Sequence, residues 1–197
     1  MERRPKNYNI QFVNEIENKD LSKLIKSELR TFSWSNSLYL ISILGLLALI
    51  GYELLNQTES YDLIFQFSLG VVMGLLIIPI HELLHGSYFR WLGCNAIDFV
   101  CDFKNMEFST SARDFVLSRS EFVVLLLFPF VIILMGGIFL YLYFESHGVL
   151  ILSFVLFHTS LCAGDFALIS FVNKIKNTQL RIHYDANEKK TLFAIDN

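Results

Sequence analysis

His81-Glu82-Leu83-Leu84-His85 is the segment whose residue types and spacing could do chemistry. On a helix, positions i and i+4 share one face, so both imidazoles can reach a single zinc ion. Glu82, beside the first histidine, can then take a proton from water held by the metal, because zinc brings the pKa of such water towards neutrality. The chemistry this pattern points to is attack of water on an amide carbonyl. A catalytic zinc site of this type uses three protein ligands and keeps one position open, so one ligand must come from elsewhere in the chain.

The extended motif of soluble metzincins would place Gly at position 88 and His at 91, but Tyr88 and Trp91 stand there. Asp165 is the strongest candidate for the third ligand, because it is a lone acid inside an apolar block, where an unpaired charge is costly. Glu107 and Glu121 are alternatives, read more simply as solvated residues. His158 lies seven residues before Asp165, two turns away on the same helical face. It could donate to a developing oxyanion or support Asp165 from behind the metal, or it could be a neutral packing histidine. His147 and His183 read as surface residues.

These residues must be positioned by helices in a membrane. Of 197 residues, 53% are apolar and 19 are phenylalanine, above the roughly 45–50% apolar typical of soluble domains. The apolar residues gather in blocks long enough for a bilayer core, which takes about 20 residues of helix. The blocks predict four spans, at about 38–55, 63–85, 122–144 and 149–172. The second is expected to continue unbroken through His85 to a glycine stop at Gly93. Pro129 lies inside the third, where it could kink the helix and free backbone groups to line a polar cavity, or serve packing alone. The reading is an all-α membrane protein with a leader over residues 1–36, a four-span domain over 37–175 and a tail over 176–197. A net charge of −3 gives no footprint for nucleic acid. The three cysteines have no metal-type spacing and read as reduced thiols.

Lys and Arg concentrate in the leader, between the second and third spans, and in the tail. The other two connections have none, so both termini are expected in the cytoplasm of a cell-membrane protein. In that orientation His81 lies about 27 Å into the second span and Asp165 about 24 Å into the fourth, both running inward at 1.5 Å per residue. The two would meet at one level near the cytoplasmic face. Outside the spans, Leu21, Leu24, Ile25 and Leu29 form a short amphipathic stripe, expected on the membrane surface or under the bundle. Alternation at Ile97, Phe99, Cys101 and Phe103 predicts a strand or hairpin, and a second hairpin is expected around Asn187.

In HELLHG at 81–86, RSEFVVLLLFPF at 119–130 and CAGDFAL at 162–168, the sequence resembles a bacterial family of membrane zincin peptidases of uncharacterised function. It is more distantly similar to the site-2 intramembrane metalloproteases. That resemblance implies an Asp ligand on a later span, which maps to Asp165, and strands after the first motif that receive extended substrate by strand addition. The site-2 pattern Leu-Asp-Gly reads Gly164-Asp165-Phe166 here, with His158 near the position of an upstream Asn. The expectation is a Zn2+-dependent endopeptidase acting on a membrane protein or peptide, with Glu82 as base. The alternative is a non-catalytic membrane accessory or immunity protein on the same fold. An ion transporter is disfavoured, because one span alone adds an acid and no repeat or pair of broken helices reads from the sequence.

Overall fold

In a computed structural model, described for residues 10–56, 60–102, 107–113, 115–176, 179–185 and 190–196, the chain is a helical bundle with two small sheets at one end. The described residues begin with β1 (Ile10–Glu17) and α1 (Asn18–Glu28). Ser33 then caps α2 (Trp34–Asn56), accepting from the Asn36 N–H at 3.2 Å. The Asn36 side chain donates back to the carbonyls of Glu28 and Thr31, both at 2.8 Å, closing the end of α1.

The second apolar block is not one helix. It is α3 (Ser60–Leu76) followed by α4 (Ile78–Trp91), bent by 41°. Pro79 explains the break: it lacks an N–H, and its ring clashes with the carbonyl four residues back. The stop of α4 is as expected. Gly93 adopts φ 93°, its N–H bonds the Arg90 carbonyl, and the Cys94 N–H bonds the Phe89 carbonyl, both at 3.0 Å. This is a Schellman termination.

The alternating segment forms a hairpin of β2 (Ile97–Asp102) and β3 (Glu107–Ala112). Next come β4 (Val116–Ser118) and α5 (Arg119–Tyr143), opened by a capping box in which Ser118 and Glu121 bond each other's backbone N–H. Glu121 is thereby absorbed into helix initiation, while the Glu107 side chain lies outside the described residues. Pro129 sits within α5, which runs on past it. A 3-10 turn leads to α6 (Gly148–Leu161) and α7 (Ala163–Lys174), bent by 43° at Cys162. The expected single helix over 149–172 is therefore also corrected. No proline causes this break; Cys162 stands at φ −70° and ψ 1°, off the helical ψ.

The expected terminal hairpin is β5 (Leu180–Asp185) with β6 (Lys190–Asp196). It is part of a four-stranded antiparallel sheet of order β1-β6-β5-β4. The sheet brings both ends of the chain beside the segment between α4 and α5. By length and composition two helices, α2 and α5, could cross a membrane, or four spans if each bent pair is one. Their large apolar side chains stay exposed, as with Ile41, Phe65 and Leu142 at 66%, 65% and 71%. Such a surface suits lipid and not water.

Two close contacts set the helices. Gly70 and Gly74 of α3 lie one turn apart against α6, where a Cβ would fall 2.5 Å from the Leu150 carbonyl oxygen and 2.8 Å from Phe157 Cβ. Only glycine permits this approach. Beneath it a core including Tyr88, Phe89, Phe122, Ile169 and Phe193 packs α4, α5 and α7 onto the sheets. Leu21 and Leu24 of α1 join that core, and the buried Glu28 carboxylate ties α1 to α7 through Ser170 at 3.0 Å and Lys174 at 2.7 Å.

Candidate metal centre

The proposed ligands come from the second halves of the two bent helix pairs, α4 and α7, beyond the close contact of α3 with α6. His81 and His85, one turn apart on α4, face each other with Nε2 atoms 3.1 Å apart. Asp165, in the first turn of α7, places Oδ2 3.4 Å from His81 Nε2 and Oδ1 3.8 Å from His85 Nε2. The three side chains are only 9–16% exposed. A tetrahedral zinc with bonds of about 2.0–2.2 Å separates its donors by about 3.3–3.5 Å. The observed spacings straddle that value, and two nitrogens with one carboxylate suit the ion, so these residues fit zinc.

His85 is oriented by a consequence of proline chemistry. Its Nδ1 lies 3.0 Å from the Leu125 carbonyl on α5. In an unbroken helix that carbonyl would accept the N–H of residue 129, but Pro129 has none. The freed oxygen accepts a hydrogen bond from the His85 Nδ1–H instead, which leaves Nε2 with its lone pair towards Asp165. The polar group released by Pro129 thus faces the centre.

Glu82 stands apart from the donor cluster. Thr110, on β3, lies 2.8 Å from its Oε2 and 2.9 Å from its backbone oxygen, so the one hydroxyl proton is available to either. A cavity of about 380 Å3 opens beside His81, Glu82, His85 and Asp165, with Phe89, Phe115 and Phe122 among its apolar walls. Five consecutive β3 residues, Phe108 to Ala112, border it, so the cavity runs along the edge of that strand. The Arg113 N–H bonds the Ala96 carbonyl at 2.9 Å. With this register, the backbone groups of Thr110 and Ala112 point away from β2. No described strand pairs with that edge.

His158 is fully buried and does not line the cavity. Its Nε2 lies 3.1 Å from His81 Nδ1 and 3.7 Å from Cys162 Sγ, which sets it against the back of a candidate ligand. Of the remaining histidines, His147 is exposed beside Ser146 and His183 reaches the Phe115 carbonyl at 3.5 Å; neither is at the centre. Thr110 and the Leu125 carbonyl were not foreseen. The signal for the carbonyl was present, since Pro129 lies four residues after Leu125.

A helix-borne pair of histidines, an acid delivered by a second helix, and a glutamate outside the donor set are the groups that a metal-dependent hydrolytic centre would need. The chain belongs to the family described as "Putative zincin peptidase", whose profile matches residues 74–180. The match spans α4 through the start of β5 and includes every residue of the centre. It supports a zinc metallopeptidase. No curated protein and no solved structure matches the chain.

Proposed function

We propose that the protein is a zinc-dependent endopeptidase of the cell membrane, similar to site-2 proteases, that cleaves a membrane-embedded or membrane-proximal peptide bond near the cytoplasmic face. One observation carries this reading. Donors from two separate bent helix pairs converge at zinc spacing, while Glu82 lines the same cavity but stands outside the donor set.

His81, His85 and Asp165 would hold the metal. Bound zinc supplies Lewis acidity, polarising a carbonyl oxygen and acidifying water. Glu82 receives the proton of the attacking water and delivers it to the leaving amine nitrogen. Thr110 holds the Glu82 carboxylate in place for both transfers. The free edge of β3 offers the Thr110 and Ala112 backbone groups to an extended substrate, which would add as a strand. The apolar walls of the cavity receive its side chains. His158 acts as a positioning residue: its contact with His81 Nδ1 fixes the ring that presents Nε2 to the metal.

Two features support the orientation. Lys and Arg cluster in the leader, the connection after α4 and the tail. The four-stranded sheet gathers those three segments on one side of the bundle. Broken helices around an ion site also occur in transporters. The Glu82–Thr110 pair and the open strand edge serve no purpose in moving an ion, and favour hydrolysis. The test is metal content and cleavage of membrane-anchored peptides by the purified full chain. Chelation should abolish cleavage and one equivalent of zinc should restore it; zinc content unchanged in a His81→Ala/His85→Ala double variant would refute the ligand assignment.

A further inference from the structure

Behind the centre lies a second set of donors. His81 Nδ1, His158 Nε2 and Cys162 Sγ fall within 4.8 Å of one another. His158 and Cys162 are both 0% exposed. A tetrahedral ion with nitrogen bonds of about 2.0–2.1 Å and a sulfur bond of about 2.3 Å separates two nitrogens by about 3.3 Å, and nitrogen from sulfur by about 3.6 Å. The corresponding distances here are 3.1 Å between the rings and 3.7 Å from His158 to the thiol. The set is built by the local chain: Cys162 is one turn beyond His158 and stands at the α6–α7 break, which turns its sulfur back onto the ring. His158 Nδ1 has no hydrogen-bond partner among the described residues although it is buried, so the ring is held by its Nε2 side alone, the side that faces His81 and Cys162.

We propose that His81 Nδ1, His158 Nε2 and Cys162 Sγ form an inner site for a second thiophilic d10 ion, and that its occupation inhibits the peptidase centre. The proposal rests on the assignment of His81 as a ligand of the outer metal, because the one ring then faces both ions. A thiolate with two imidazoles selects soft ions such as Cd(II), Cu(I) or excess Zn(II). With the outer ion on His81 Nε2, binding releases two protons, one from the Cys162 thiol and one from the His81–His158 contact; without it, the ring proton moves to His81 Nε2 and only the thiol proton leaves, and neither case involves a redox step. When both ions are present, His81 bridges them as an imidazolate. When the inner ion alone is present, the ring is drawn away from Asp165. Either way the charge and position of an outer ligand change. Entry is through the cavity, whose wall includes His81.

Cadmium is the probe, added to full-length protein in detergent, with bound metal counted after removal of free ion. A thiolate-to-cadmium charge-transfer band in the ultraviolet reports sulfur ligation. The wild type should hold about two cadmium ions and show the band, and Cys162→Ser should hold about one and lose it. Cys162→Ala is the companion variant, accepted once its melting transition matches the wild type. Cys94→Ser and Cys101→Ser should keep the band, identifying the sulfur. Asp165→Asn should weaken the outer ion while retaining the band, so failure of the outer assignment would show as unchanged stoichiometry in that variant alone. A band of wild-type intensity in both Cys162 variants, or one ion per wild-type chain with no band, would overturn the inner site.

Discussion

Replacing Pro129 with Ala should weaken zinc binding while stabilising the helix that carries it. Alanine restores the N–H that proline lacks, and the natural acceptor of that N–H is the Leu125 carbonyl. This oxygen now holds His85 Nδ1 at 3.0 Å inside the bundle. Competition from the backbone draws the oxygen into the helix and leaves a buried imidazole N–H poorly paired, which costs about 1–3 kcal/mol. Loss of such an orienting partner behind a metal ligand typically lowers affinity about 10–100-fold, or about 1.4–2.7 kcal/mol. In the apo protein the gain is larger than this loss, because proline inside a helix is about 3 kcal/mol less favourable than alanine, leaving a net stabilisation of up to about 2 kcal/mol. Two measurements separate them: zinc affinity by competition with a chromophoric chelator, and thermal unfolding with and without zinc. The apo transition should rise, and the added stabilisation by zinc should shrink. Affinity within twofold of the wild type would show that the freed carbonyl does not orient His85.

Asp165→Asn should lower zinc retention by removing the anionic oxygen ligand, read as metal per chain after gel filtration in chelator. Gly70→Ala and Gly74→Ala should each cost about 1–3 kcal/mol by forcing α3 from α6, seen as a lower melting temperature; unchanged transitions would mean that the glycines are not needed for that approach. Thr110→Val, which keeps the shape but removes the hydroxyl, should lower cleavage with little change in zinc content, since Thr110 touches Glu82 and no ligand. Reporters fused after Gln57 and Ser146 should be external, and those at Lys104 and the C-terminus internal; a reversed Lys104 reporter would put the centre on the other side of the membrane.

The convergence of His81, His85 and Asp165 was legible because two rules coincide in them. Helical spacing puts His81 and His85 on one face, and the cost of a lone acid in an apolar block singles out Asp165. Depth counting along the expected spans then pairs the two regions, even though each is a bent pair of helices. The break at Ile77 follows from Pro79, whereas that at Cys162 has no comparable local signal. The hairpins at 97–112 and 180–196 announced themselves by alternation. The pairing of β1 with β6 did not, since it joins residues almost the full length of the chain apart. Gly70 and Gly74 stand in the sequence at the spacing of a close helix contact, but their partner α6 is fixed only by packing. Thr110 resisted sequence reading for the same reason: its role is defined by a neighbour 28 residues away.

Hydrolysis by this centre is tested most directly by turnover per bound zinc in proteoliposomes, comparing the wild type with Glu82→Gln at equal zinc content. Gln keeps the size of the side chain and a hydrogen bond to Thr110 but cannot accept the proton. Turnover should fall about 10²–10⁴-fold, with zinc content and melting temperature unchanged. Full turnover in Glu82→Gln would contradict the proposed general base, and no turnover in either protein across membrane-anchored peptides would favour a non-catalytic membrane protein on this fold.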